Sequence, residues 1–152
     1  MTVPGWRPLT TDLVDLLVPE QWETVEPRGG LLAVAEPRSD EVEFRANAVL
    51  VVRETAEPIH ALGAQAIAEA LAYPGWSHVV ADQPWEYADD NEGRVVESLY
   101  EDLGVCVNVT RFLLSTSSHC IDLTTSASIR DRFRVESLFE MIAGGITVKG
   151  NA

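Results

Sequence analysis

The stretch VCVNVTRFL, residues 105–113, decides how this chain folds. Its valines occupy every second position, and Cys106 and Asn108 stand between them. Because successive side chains of a strand point to opposite faces of a sheet, this alternation predicts a β-strand. Residues 94–101 before it and residues 119–126 after it also carry strand patterns, and short turns separate the three. Three consecutive strands with tight connections predict an antiparallel meander.

Two apolar stripes at helical spacing flank the meander. The first follows Pro58, whose fixed φ suits the first turn of a helix, and it continues to about residue 72. The second runs from residues 131–133 to Ala143, where two glycines supply the C-terminal cap. Both stripes predict helices that pack one face against a sheet.

Further strands are predicted outside the meander. They cover residues 14–18, 22–25, 31–35, 44–53, 76–81 and 146–148. For residues 14–18, a helix that starts at Thr10 or Thr11 is the alternative. The order of strands, helix, strands, helix and strand predicts an α+β fold, a curved antiparallel β-sheet with two main helices packed on it.

The length suits one domain with one hydrophobic core. The chain has 152 residues, of which 46% are hydrophobic. A chain of this size buries about 68–70% of the surface that its unfolded form exposes. We interpret residues 1–13 as an N-terminal arm and residues 14–149 as a single α+β domain.

The charge excludes several classes of partner. The chain has 24 acidic and 11 basic residues, a net charge of −13. Nucleic-acid binding requires clustered positive charge, so we expect no nucleic-acid partner. No apolar run approaches the roughly 20 residues that a membrane helix needs, and the first residues do not resemble a secretory signal. We therefore expect a cytoplasmic protein without membrane insertion.

The two cysteines are predicted to be buried free thiols. Folding about the turn at residues 115–118 is predicted to place Cys120 opposite Phe112 or Leu113, away from Cys106. A disulfide requires the two Cα atoms to lie within about 7 Å.

The sequence contains no recognisable catalytic or metal-binding pattern. His60, His78 and His119 are far apart, and none belongs to a metal-ligand motif. Nothing marks an orienting group or an oxyanion hole for a cysteine nucleophile. Residues 89–93 carry oxygen ligands but lack the EF-hand register, so we interpret them as a hairpin turn. We expect no catalytic residue, no metal site and no cofactor, and interpret the chain as a non-enzyme.

Aromatic residues beside proline provide the candidate contact surface. Trp6 and Trp85 stand in polar, proline-flanked segments, and exposed aromatic side chains are favoured interface anchors. Trp85 and Tyr87 are followed by Asp89 and Asp90, which would steer a basic partner. These five residues are the predicted partner-binding site. The alternative is ordinary packing of an arm and a loop.

Two short segments resemble a known fold family. Residues 18–22, VPEQW, look like a proline-then-tryptophan entry to a first hairpin. Residues 44–51, FRANAVLV, are similar to an F-x-x-N segment that leads into an aliphatic strand. With the helix, the meander and the closing helix that bears Phe139, they make residues 14–148 resemble the PsbP/Mog fold family. The actinobacterial LpqN group is the most similar, beside the DcrB proteins and the Eag chaperones.

The resemblance implies an interaction module. Members of this fold mostly bind proteins and share no catalytic centre, so the resemblance carries over no active site. The chain departs from the lipoprotein group because no lipobox cysteine stands near its start. We therefore predict a non-enzymatic protein-binding module, an adaptor or secretion-related chaperone, either monomeric or homodimeric.

A second interpretation is a small-ligand-binding protein or minor enzyme that uses the sheet face. Asn108, Thr110, Asp122 and Thr124 are the polar strand residues available for this role. A deep pocket lined by them favours the second interpretation. A solid core with an exposed Trp85 favours the adaptor.

Overall fold

The computed structural model describes residues 5–87 and 91–150. In chain order the elements are β1 (Trp6–Thr10), β2 (Val14–Pro19), β3 (Glu23–Val25), β4 (Leu32–Ala35), β5 (Asn47–Glu54), α1 (Ile59–Leu71), β6 (Ser77–Glu86), β7 (Glu92–Asp102), β8 (Val105–Ser115), β9 (His119–Ser128), α2 (Arg132–Gly144) and β10 (Thr147–Val148). The predicted α+β class is confirmed, with two helices on a mostly antiparallel sheet.

Seven strands form the large sheet in the order β3-β4-β5-β9-β8-β7-β6, and every neighbouring pair is antiparallel. The predicted meander is therefore confirmed, because β7, β8 and β9 are adjacent in this sheet. β6 forms one edge of the sheet and bulges between Val79 and Ala81.

A second sheet has three strands in the order β1-β2-β10. β2 shows that residues 14–18 form a strand, so the helical alternative is wrong. Residues 6–10, within the segment interpreted as an arm, pair with β2 and place Trp6 opposite Pro19. The division of the chain at residue 13 stays a prediction.

The helices lie on opposite faces of the large sheet. The alternation of β8 shows this, because Leu113 belongs to the core under α1 whereas Phe112 and Leu114 belong to the core under α2. The α1 core consists of Leu62, Ala66, Val96, Leu113 and Cys120. The larger core joins α2 and the small sheet to the large sheet and includes Val14, Leu50, Ile121, Leu123, Phe139 and Ile142.

The hairpin between β8 and β9 is tighter than predicted. Ser115 pairs with Cys120, so the expected position of Cys120 opposite Phe112 or Leu113 is wrong. The backbone pairing extends to the turn, where the Thr116 amide donates to the His119 carbonyl at 2.9 Å. Both cysteines are free thiols, but only Cys120 is buried and Cys106 is half-buried.

Candidate ligand-binding cavity

A cavity of about 350 Å³ lies between α2 and the sheet strands β6 to β9. Because side chains alternate along β8, Asn108, Thr110 and Phe112 all point to this cavity. Phe139 of α2 faces them from the other side. The volume is at the lower end of the range of about 300–1,000 Å³ for ligand pockets.

Aromatic rings form one wall of the cavity. Trp85 packs edge-on against Phe112, with 5.4 Å between ring centroids, and against Tyr87 at 5.3 Å. Gly93 stands opposite Trp85 in the neighbouring strand. A Cβ at this glycine would lie 2.8 Å from the Trp85 carbonyl oxygen and 2.9 Å from its ring. The absence of a Cβ at Gly93 therefore leaves the space that Trp85 occupies.

Asn108, one of the lining residues, has a buried amide nitrogen without a hydrogen-bond partner among the described residues. The Asn108 side chain is in a residue only 6% exposed, and its Nδ2 makes no hydrogen bond within the described part of the chain. Buried polar groups almost always have a partner, and one without a partner costs about 1–3 kcal/mol. Sequence reasoning placed Asn108 on a sheet face but gave no sign that its amide lacks a partner.

Charged groups surround the opening. Glu97 and Arg132 form an ion pair of 3.1 Å, with the Glu97 side chain 16% exposed. Glu86, Glu136 and Glu140 also line the cavity. None of these three forms an ion pair with any residue in 5–87 or 91–150. The opening is therefore acidic.

The second cavity, on the α1 face, contains the other two polar residues of the ligand interpretation, Asp122 and Thr124. The expectation that Asn108, Thr110, Asp122 and Thr124 share one face is wrong. The β8–β9 register pairs even-numbered residues of one strand with odd-numbered residues of the other. Since paired residues share a face, even-numbered residues of the two strands point to opposite faces.

The predicted partner-binding residues lie in different surroundings. Trp85 and Tyr87 are half-buried against the larger core, and the Tyr87 hydroxyl donates to the Ile146 carbonyl. Trp6 of β1 is also half-buried against that core. Asp89 and Asp90 lie outside the described residues. The role of these residues in partner binding stays a prediction.

The cysteine environment does not favour nucleophilic chemistry. Burial raises the pKa of the Cys120 thiol, although an Arg53 guanidinium nitrogen lies 3.8 Å from its sulfur. The reactive form of cysteine is the thiolate, so a raised pKa lowers its reactivity. Within the described ranges, no three His, Cys, Asp or Glu side chains are grouped as a metal site would require.

Neither helix of the described residues is long and apolar enough to cross a membrane. No protein-family model matches the sequence, and a comparison with curated proteins finds no match.

Solved structures do match. LpqN, which is involved in cell envelope biogenesis of Mycobacterium tuberculosis, is 14% identical with a TM-score of 0.70, covering 97% of this chain and 86% of LpqN. The cyanobacterial PsbP protein of Synechocystis is 11% identical with a TM-score of 0.71, covering 97% and 95%. A Pseudomonas aeruginosa protein of unknown function is 10% identical with a TM-score of 0.65, covering 95% and 98%. The resemblance inferred from the sequence is therefore confirmed for the fold: the chain has the PsbP-like, LpqN-like fold.

Proposed function

We propose that this chain is a non-enzymatic binding protein that holds its ligand in the cavity between α2 and the large sheet. The unpartnered Asn108 amide supports this proposal. A ligand with a hydrogen-bond acceptor would complete the bonding of Nδ2 and remove the cost of its burial. The aromatic wall formed by Trp85 and Phe112 would cover the apolar part of the same ligand.

The groups around the cavity suit binding better than catalysis. Glu97 is held by Arg132 at 3.1 Å, which satisfies its charge within the chain. Among the described residues, the side chains lining the cavity include no cysteine, serine or histidine, which are common nucleophiles and bases. What these side chains offer is shape, an amide and carboxylates.

A protein-binding adaptor or secretion-related chaperone is the second candidate, in which one side chain of a partner enters the cavity. The position of Trp85 on β6 favours it, because β6 is an edge strand of the large sheet. A polypeptide that lies along this edge would reach the cavity directly. A cytoplasmic location is part of this proposal.

The test is native mass spectrometry and affinity copurification of the full chain from its own host. Wild type is compared with Asn108→Leu, Trp85→Ala and the control Ser137→Ala, which changes an exposed residue of α2. A small-molecule adduct that is lost only in the two cavity variants would support the leading proposal. A stoichiometric protein lost only in those variants would instead favour the adaptor. If wild type carries neither, or if Ser137→Ala loses the ligand equally, the cavity is not the binding site.

A further inference from the structure

We infer that the ligand of this cavity is an organic cation with an aromatic or apolar body, an inference that rests on the proposed function. Of the described residues, four glutamates and one arginine line the cavity, and their charges sum to −3. The arginine, Arg132, is already paired with Glu97. The remaining carboxylates would repel an anion and attract an amine.

The spacing of charges on α2 places a cation site above the cavity. Arg132, Glu136 and Glu140 stand four residues apart, so they share one face of the helix. Two like charges four residues apart destabilise a helix, and Glu136 is half-buried as well. An ammonium group between half-buried Glu136 and exposed Glu140 would offset the repulsion between the two carboxylates.

The rest of the cavity fits the body of such a ligand. The Trp85 ring attracts a cation near its face as well as apolar groups, and Phe112 and Phe139 extend the apolar wall. The Asn108 Nδ2 has N–H groups that no described residue accepts, so the matching ligand carries an acceptor such as a hydroxyl or carbonyl oxygen. An amine at one end and an acceptor at the other, joined by a ring, satisfies both ends of the site.

Three compounds of similar shape test whether the cavity prefers a positively charged ligand. Tyramine carries an ammonium, 3-(4-hydroxyphenyl)propionate carries a carboxylate, and 4-ethylphenol is neutral. Each is titrated against the full chain by calorimetry, and the side-chain amide signals of Asn108 are followed by NMR. We expect tyramine to bind with a shift of these signals, 4-ethylphenol to bind about tenfold more weakly, and the carboxylate not to bind.

Two charge variants separate a specific site from general attraction by an acidic protein. The double variant Glu136→Gln, Glu140→Gln should weaken tyramine about tenfold or more. The double variant Glu54→Gln, Glu57→Gln removes the same charge from exposed positions elsewhere and should change it less than about twofold.

The results distinguish failure of the cation inference from failure of the proposed binding function. Equal binding of tyramine and 4-ethylphenol, or equal weakening by both double variants, would overturn the cation inference and leave the cavity as a binding site. Failure of all three compounds to shift the Asn108 signals would overturn the cation inference. If the native protein also carries no ligand, the proposed function falls as well.

Discussion

The two faces of strand β8 differ in how fully their buried polar groups are paired. On the α1 face, the Arg111 guanidinium donates to Asp122 at 2.6 Å and to Glu69 at 2.7 Å. Three residues away, on the α2 face, the Asn108 Nδ2 has no hydrogen-bond partner among the described residues. Both faces contain paired charges, such as Arg111 with Asp122 on one and Arg132 with Glu97 on the other, but the α2 face also leaves one buried amide nitrogen without a partner within the described ranges. The difference supports the proposed ligand site on the α2 face.

The charges on the α1 face support each other. Burial acts to lower the pKa of Arg111, but the carboxylates of Asp122 and Glu69 raise it by more. The guanidinium therefore stays charged although its side chain is only 15% exposed. Such a network is costly to break, because removal of one partner leaves the other charge buried and unpaired.

Asp122→Ala should have the largest effect on stability. The Asp122 side chain is 4% exposed, and its loss leaves Arg111 with Glu69 as its remaining carboxylate partner. We expect a loss of about 3 kcal/mol in the free energy of unfolding, at the lower end of the range for broken buried pairs because Glu69 remains. Urea denaturation measures it.

Thr124→Val is the matched control, since Thr124 lies on the same face and its hydroxyl donates a hydrogen bond to Asp122. It should cost about 1 kcal/mol. Equal losses for Asp122→Ala and Thr124→Val would show that the ion pairs contribute little and would remove the contrast between the faces.

Gly93→Ala should have the next largest effect, now on the α2 face. The added methyl would lie 2.8 Å from the Trp85 carbonyl oxygen, a main-chain atom that cannot move without disturbing the strand pair. We expect a loss of about 1–3 kcal/mol, as for other overpacked sites, together with a displaced indole. Urea denaturation and tryptophan fluorescence measure the two effects. An unchanged stability would mean that β6 shifts freely at this edge.

Asn108→Leu tests whether the unpartnered amide nitrogen on the α2 face serves ligand binding or stability. Removal of the buried, unpartnered Asn108 Nδ2 should raise stability by about 1 kcal/mol, and the same change should abolish ligand binding. The measurements are urea denaturation and the amine titration on the same preparation. A loss of stability as large as that of Asp122→Ala would show that the amide serves the fold, and the two faces would then not differ in the way proposed.

The sequence predicted the helices and strands better than it predicted which sheet face each residue occupies. The alternation in residues 105–113 was sufficient to predict β8, because the signal lies within one strand. The assignment of Asp122 and Asn108 to one sheet face was wrong, because it depends on the hairpin register. A change of one residue at the turn moves every side chain of a strand to the other face, and the turn residues 115–118 did not fix that register.

The candidate site shows the same limit. Trp85 was identified from its neighbours in sequence as an aromatic in a polar segment. Its half-buried position depends on Gly93 and Phe112, which belong to other strands. The acidic face of α2 was within reach of sequence reasoning, since Glu136 and Glu140 stand at helical spacing. Its position over Asn108 follows from tertiary packing alone.

Gly63→Ala should have the smallest effect and complements Gly93→Ala. Gly63 lies inside α1, where alanine stabilises a helix by about 0.5–1 kcal/mol relative to glycine. The new methyl would lie 2.7 Å from Arg94 Cδ, an atom of a flexible side chain that bonds Asp82 at 2.5 Å. Displacement of this partly exposed pair costs about 0.2–1 kcal/mol, so the two effects nearly cancel.

We therefore expect Gly63→Ala to change the free energy of unfolding by less than about 0.5 kcal/mol in urea denaturation. In an Arg94→Ala background the side chain that blocks the new methyl group is absent. There Gly63→Ala should raise the free energy of unfolding by the helix propensity of alanine alone. A loss of more than about 1 kcal/mol in both backgrounds would place the obstacle in the main chain of the sheet. The two faces would then not differ in how they accept an added methyl group, because at Gly93 on the α2 face the blocking atom is also a main-chain oxygen.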